Sequence, residues 1–283
     1  MHNNQKHLIV DGSNYLFTSY FGVPQLATYK NRKVNAVYGF FSILRRISTK
    51  VNPNQIFVIF DSQTGIQDKI KRRQEYKATR QLVDTGMYQQ LPIIKKILEN
   101  CKIKWIEPPN NEADDIIGSL ATKYSKENSV FISSNDLDFA QIISKRITLV
   151  RNIKGKAIYI TERNFIKKWG FLPQYYKDYL ALKGDSTDNI DGIKGIGMKT
   201  ARDLIQKYNT VEEIIQNLEN LSNSVSSKIL LDTERLRSNL QFLTIDTGLE
   251  VFNDKICKDN DCFNKDALYL KRTNEHLDMI LEE

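Results

Sequence analysis

Three short apolar runs in the first half of the chain each stop at a carboxylate, and this pattern constrains the fold more than any other feature. His7-Leu-Ile-Val10 runs into Asp11, Ile56-Phe-Val-Ile-Phe60 into Asp61, and Val130-Phe-Ile132 into the turn Ser133-Ser-Asn-Asp-Leu-Asp138. The runs have strand length and alternate with helical patterns, as in a mostly parallel sheet flanked by helices. In such an open sheet the carboxyl ends of the strands share one edge, where ligands bind. A single Asp after a strand is an ordinary turn former. Three in succession predict an acidic edge.

A fourth acidic cluster, Glu112-Ala-Asp-Asp115, precedes Ile116, Ile117, Leu120, Ala121 and Tyr124, whose spacing buries one face of a helix. The helix dipole favours an acid in a first turn, which accounts for one of the three. Glu112 and Asp115 share a face, and Asp114 reaches round the open end of the same turn. Further on, Asp185 and Asp188 stand just before Gly192-Ile-Lys-Gly-Ile-Gly197.

With Asp136 and Asp138 these make nine acids. Setting them aside leaves a chain of net charge +7 with a remainder of +16, so the negative charge is concentrated. Two carboxylates ~5 Å apart repel by roughly 3 kcal/mol at an effective dielectric of ~20, so such a cluster needs protons or bridging cations. Three cysteines and three histidines give no zinc-type spacing, and Cys257 and Cys262 read as packed or loop residues. An all-carboxylate set selects hard ions, Mg²⁺ or Mn²⁺. On a basic protein, such a site suggests metal-assisted chemistry on phosphate esters.

After Asp61 comes QDKIKRRQEYKATRQL, which carries Lys69, Lys71, Arg72, Arg73, Lys77 and Arg80. As a helix it would place Lys69, Arg73, Lys77 and Arg80 on one stripe. A solvated basic face is the plain reading. Its origin at the strand ending in Asp61 instead brings the cations over the acidic edge, where they can hold a phosphate, and Tyr76 offers a ring for an unpaired base. The glycine turn, with Lys194 and Lys199 beside it and Thr200 opening a helix, presents backbone N–H groups to a phosphate backbone. It lacks the Gly-Lys-Ser/Thr spacing of a nucleotide-binding loop.

As a set, these residues resemble the 5′ nucleases of the flap endonuclease type, particularly the 5′→3′ exonuclease domain of bacterial DNA polymerase I and its phage relatives. The matching segments are LIVDGSNYLF, VIFD, EYKATR, NEADDIIGSLA, SSNDLDFAQ and LKGDSTDNIDGIKGIGMKTA, in family order over roughly residues 7 to 250. The resemblance implies an α/β class with a mostly parallel central sheet flanked by helices, a PIN-like core. That core would span residues 1–170, with a basic helical arch at about 62–86. A helical part over 171–283 would contain a helix-hairpin-helix DNA-binding motif at about 182–208.

By the same resemblance, Asp11, Asp61, Glu112, Asp114, Asp115, Asp136, Asp138, Asp185 and Asp188 form a two-metal site for Mg²⁺, with Mn²⁺ able to substitute. Lys77 and Arg80 contact the scissile phosphate beside Tyr76. Lys69, Arg72 and Arg73 bind DNA in the arch. Gly192, Lys194, Gly195, Gly197, Lys199 and Thr200 bind duplex in the hairpin, with K⁺ on its carbonyls. The chain departs from the family at Ser134-Asn135-Asp136, where relatives have Thr-Gly-Asp, and at Lys69, where they place Arg.

The implied activity is 5′→3′ exonuclease and 5′-flap endonuclease cleavage of DNA in replication and repair, removing primers or flaps. Implied partners are DNA with 5′ ends, flaps or nicks, RNA-primed 5′ strands, and a separate polymerase and ligase. A free-standing, monomeric, cytoplasmic nuclease is expected. No uncharged apolar run reaches bilayer-spanning length, and MHNNQKHLIVDG lacks the apolar stretch of a secretory leader. Two rivals compete: a scaffold for branched DNA that does not cut, and a phosphatase of small esters. The full acid set opposes the first, and the duplex-type hairpin opposes the second.

Overall fold

The computed structural model describes residues 5–24, 28–29, 32–62, 85–109 and 111–250. Strand β1 (Lys6–Asp11) leads into helix α1 (Gly12–Gly22), the short antiparallel pair β2 (Thr28–Tyr29) and β3 (Arg32–Lys33), and α2 (Asn35–Val51). Next come β4 (Gln55–Ile59), α3 (Thr85–Tyr88), α4 (Leu91–Asn100), β5 (Lys104–Ile106) and α5 (Ala113–Tyr124). The sheet is completed by β6 (Ser129–Ser133), β7 (Ile147–Ile153) and β8 (Lys156–Ile160). Its order is β5-β4-β1-β6-β7-β8, parallel throughout except for β8 against β7.

The chain builds outward from β1 through β4 to β5, then returns to the other side of β1 and builds outward again from β6. The reversal opens a crevice at the carboxyl ends of β1 and β6, the place where open α/β sheets bind ligands. Register brings the acids to that crevice. Val10 pairs with both Val58 and Ser133, so Asp11 lies level with Ile59 and next to Ser134, and Asp61 follows two residues beyond.

Both faces of the sheet are covered, which is why its inner strands read as continuous apolar runs rather than alternating ones. Leu8, Val10, Ile56 and Val58 pack with α1, α2 and α4 residues such as Tyr15, Phe40, Leu44 and Ile94. On the other face, Ile9, Phe57, Ile59 and Ile132 pack with Ile117 and Leu120 of α5. The same core continues into the helical part through Leu182, Ile205, Ile229 and Leu236.

That part comprises α6 (Glu162–Trp169), α7 (Tyr176–Lys183), the two-residue pair β9 (Gly184–Asp185) with β10 (Ile190–Asp191), and α8 (Met198–Tyr208). It ends, within the described residues, in α9 (Val211–Gln216), α10 (Asn223–Leu231) and α11 (Thr233–Leu243). Because the core runs unbroken from sheet to helices, Asp185 and Asp188 are carried to the acidic edge by packing rather than by chain proximity.

Among the described residues, the stretch between β4 and β5 forms two helices, α3 and α4, rather than one. Pro92 has no N–H and its ring opposes the carbonyl four residues back, so α3 cannot run on and α4 starts afresh with Pro92 in its first turn. At the break, the buried Gln90 accepts from the N–H groups of Ala36 (2.9 Å) and Val37 (3.3 Å), satisfying the start of α2 from a distant segment.

Candidate metal centre and nucleic-acid surface

Asp11 is the pivot of the acidic edge. It is 6% exposed, and one oxygen accepts the Asn14 N–H (2.9 Å), capping α1. The other accepts the Ser134 hydroxyl (2.7 Å). The same hydroxyl oxygen accepts the Asp136 N–H (3.0 Å), and Asp136 Oδ1 accepts the Asp138 N–H (2.8 Å). One continuous hydrogen-bonded chain therefore sets the positions of Asp11, Asp136 and Asp138. Asn135, standing where the resemblance calls for Gly, keeps this turn in place: its N–H donates to Asn14 Oδ1 (3.2 Å) and its own Oδ1 accepts from Asn152 of β7 (2.8 Å).

Asp61 is held between two elements. Its N–H donates to Ser13 Oγ (2.7 Å), and its Oδ1 accepts the Ala113 N–H (3.0 Å) at the first residue of α5. That bond seats the start of α5, with Glu112, Asp114 and Asp115, against the end of β4. Glu112 is not in the first turn but at the N-cap, extended and only 3% exposed, and its side chain does not cap the helix. Asp115 Oδ1 accepts the Asp246 N–H (2.9 Å). Ser119 completes this tie, donating to the Asp246 carbonyl (3.1 Å) and accepting from Leu249 (3.1 Å), so the chain after α11 is strapped along α5.

Asp138, Asp185 and Asp188 each present an oxygen within 4.8 Å of the others, a grouping that could hold a metal ion. The other six acids form no comparably tight trio among the described residues. Three of them, Asp11, Asp61 and Asp136, are nevertheless electrostatically joined. Burial first, then the charges of Asp61 and Asp136, push the Asp11 carboxyl up to about 7, against the opposing hydrogen bonds from Asn14 and Ser134. The Tyr176 phenol is likewise raised, by burial and by Asp138, Tyr179, Asp185 and Asp136. Asp136 thus belongs to both groups, linking the β1/β4 side of the crevice to the helical side.

A buried carboxylate held among two others cannot be ionised cheaply at neutral pH without a cation. Every donor is a carboxylate oxygen, which suits a hard divalent ion and opposes zinc-type N/S ligation. The residues therefore fit metal binding.

The arch residues Lys69, Arg72, Arg73, Tyr76, Lys77 and Arg80 lie outside the described residues, as do Cys257 and Cys262. The hairpin lies within them. Ile193 and Ile196 are buried, and the Ile196 N–H closes on the Ile193 carbonyl (2.9 Å). Gly195, at the third position of this turn, has φ +80°, the left-handed value a type II turn demands. At Gly192 a Cβ would lie 2.2 Å from the Lys183 backbone, so only glycine fits against the end of α7. Lys194 and Lys199 are exposed, Thr200 is half-buried, and α8 begins after Gly197 with no side-chain cap. Its first N–H groups have no partner inside the helix.

A doubly wound sheet with carboxylates converging on its crevice, joined to a helical part bearing a glycine hairpin, is the architecture of a 5′ nuclease. Family models match along nearly the whole described chain: the 5′-3′ exonuclease N-terminal resolvase-like domain over residues 6–170, and the 5′-3′ exonuclease C-terminal SAM fold over residues 171–258. The chain belongs to the 5′-3′ exonuclease family.

It is 38% identical over 215 residues to a 5′-3′ exonuclease of Aquifex aeolicus, covering 75% of this chain and 72% of that one. It is 33% identical over 272 residues to DNA polymerase I of Caldicellulosiruptor bescii, covering 93% of this chain but 32% of the polymerase. The fold matches a bacteriophage T5 flap endonuclease, solved as a pseudo-enzyme-product complex with DNA and metal ions. The TM-score is 0.72 at 17% identity, with 98% of each chain covered. No described helix is long and apolar enough to cross a membrane.

Proposed function

We propose that the protein is a Mg²⁺-dependent 5′→3′ exonuclease and 5′-flap endonuclease acting on DNA in replication and repair. The observation that carries this reading is the convergence of Asp138, Asp185 and Asp188 within 4.8 Å, with Asp136 tying them to Asp11 and Asp61. Glu112, Asp114 and Asp115 complete a nine-carboxylate set for two ions, Mg²⁺ or Mn²⁺. Bound there, divalent metal supplies an activated water and neutralises charge on the leaving oxygen.

The protein's own groups do the rest. Ser134 and Asn14 fix Asp11, and Asn135 keeps the Asp136 turn against β7. Lys77 and Arg80 hold the scissile phosphate, Tyr76 stacks an unpaired base, and Lys69, Arg72 and Arg73 bind the 5′ strand. The hairpin Gly192, Lys194, Gly195, Gly197, Lys199 and Thr200 grips duplex away from the chemistry. Potassium on the hairpin would have to use carbonyls other than that of Gly195, which faces the Lys228 ammonium. The matched stretches support a division into a nuclease core to residue 170 and a helical part from 171. The reading extends to RNA-primed 5′ strands as substrates, to a cytoplasmic monomer, and to a separate polymerase and ligase as partners.

Turnover of a 5′-flap duplex in Mg²⁺, compared with that of a small phosphate monoester, tests the proposal. Flap cleavage with a negligible rate on the monoester is expected. Preference for the monoester would make the protein a phosphatase, and duplex binding without any cleavage would make it a scaffold.

A further inference from the structure

The hairpin holds a third cation that its own sequence does not contain. Lys228 lies on α10, one residue before Ile229, the one buried residue of that helix, which anchors the adjacent backbone in the core shared by sheet and helices. Its Nζ donates to the Gly195 carbonyl at 3.4 Å. Its stem occupies the space a side chain at Gly195 would need: a Cβ there would come within 2.9 Å of Nζ, 3.1 Å of Cε and 3.6 Å of Cδ. Glycine at 195 supplies the positive φ of the turn, and the space beside it is taken by a lysine brought from 33 residues away.

Among the described residues no carboxylate pairs with Lys228. An ammonium has three N–H donors, and one carbonyl uses one of them. The carbonyl sets this ammonium at the residue directly after Lys194, in a turn followed by Lys199. Gathering cations without a matching acid costs energy, as gathering the acids does, and a bound anion relieves it.

We propose that Lys228 is a phosphate-binding residue of the hairpin, pre-positioned by the Gly195 carbonyl to contact the backbone of a DNA duplex. The inference rests on reading the hairpin as a duplex grip. It adds to Lys194 and Lys199 a contact that no local motif could reveal. A phosphate contact of this kind carries no base information, so its effect is the same for every duplex sequence.

The test is a fluorescence-anisotropy titration of a labelled duplex with metal-free protein, repeated from low to moderate salt. Lys228→Gln keeps a donor for the Gly195 carbonyl but loses the charge, whereas Lys228→Arg keeps both. Each lost phosphate contact flattens the plot of log affinity against log salt by about 0.9. The expected result is a slope reduced by about one for Lys228→Gln, by about two for the double variant Lys194→Ala/Lys199→Ala, and unchanged for Lys228→Arg. Melting temperatures equal to wild type show that the fold is intact. If the double variant flattens the slope and Lys228→Gln does not, Lys228 only props the turn and the proposal is overturned, while the duplex grip stands. If neither changes the slope, the grip reading itself fails, and this inference with it.

Discussion

Replacing Asp11 by Asn should change how the metal-free protein's stability depends on pH. In the folded state the Asp11 carboxyl is pushed up to about 7 from its ordinary 3.8 by burial and by Asp61 and Asp136. A group whose folded value is raised stabilises fully below the unfolded value, and that contribution is lost as pH rises through the folded value. The window here runs from about pH 4 to about pH 7. At ~1.4 kcal/mol per pH unit, the step from pH 5 to pH 7 removes about 2–3 kcal/mol from wild type through this group.

Asn can accept from Asn14 and bond Ser134 much as Asp11 does, so the fold survives and the titration disappears. Urea unfolding in EDTA, followed by circular dichroism at pH 5 and pH 7, reads both quantities. Wild type should lose stability between the two and Asp11→Asn should lose less by about 2–3 kcal/mol, with added Mg²⁺ restoring wild type at pH 7 by mass action. Identical pH dependence in the two proteins would refute the argument that Asp11 is a buried acid awaiting a cation.

Asp136→Ala should abolish Mg²⁺-dependent cleavage while leaving duplex affinity largely intact, since Asp136 links both acid groups; single-turnover assays and binding titrations check the two halves. Lys77→Ala should slow single-turnover cleavage far more than it weakens binding, because its charge acts on the phosphate as it reacts. Asn239, wholly buried, donates to the carbonyls of Ala181 (3.2 Å) and Asp191 (2.7 Å), tying α11 to α7 and the base of the hairpin. Asn239→Leu leaves those acceptors unmet and should cost about 2–3 kcal/mol in urea unfolding.

The strand-end acids Asp11, Asp61 and Asp136 were legible as such in the sequence because each follows a local rule. A strand of the parallel sheet ends, the chain turns, and the residue at the turn faces the crevice whatever the neighbouring strands are. The helix after Glu112 could be read from its apolar spacing, and α5 buries Ile116, Ile117, Leu120 and Ala121. What periodicity could not supply is contact between distant segments. Ser134 looks like an ordinary turn residue, yet its hydroxyl couples Asp11 to Asp136 across more than a hundred residues of chain.

Gln90 capping α2, Asp115 bound to Asp246, and Lys228 at Gly195 are likewise tertiary. Pro92, by contrast, carries a local signal for the break before α4. The C-terminal strands β7 and β8 extend the sheet beyond the three acid-tipped runs, and no acid marks them.

The central claim is that the converging carboxylates cut DNA from its 5′ end with divalent metal. It is tested most directly by single-turnover cleavage of a 5′-labelled flap duplex, first in EDTA and then in rising Mg²⁺. The account predicts no product in EDTA, a rate that climbs and saturates with Mg²⁺, and short labelled products released from the 5′ side of the junction. Cleavage at full rate in EDTA, or none at any Mg²⁺ concentration while the duplex stays bound, would contradict it.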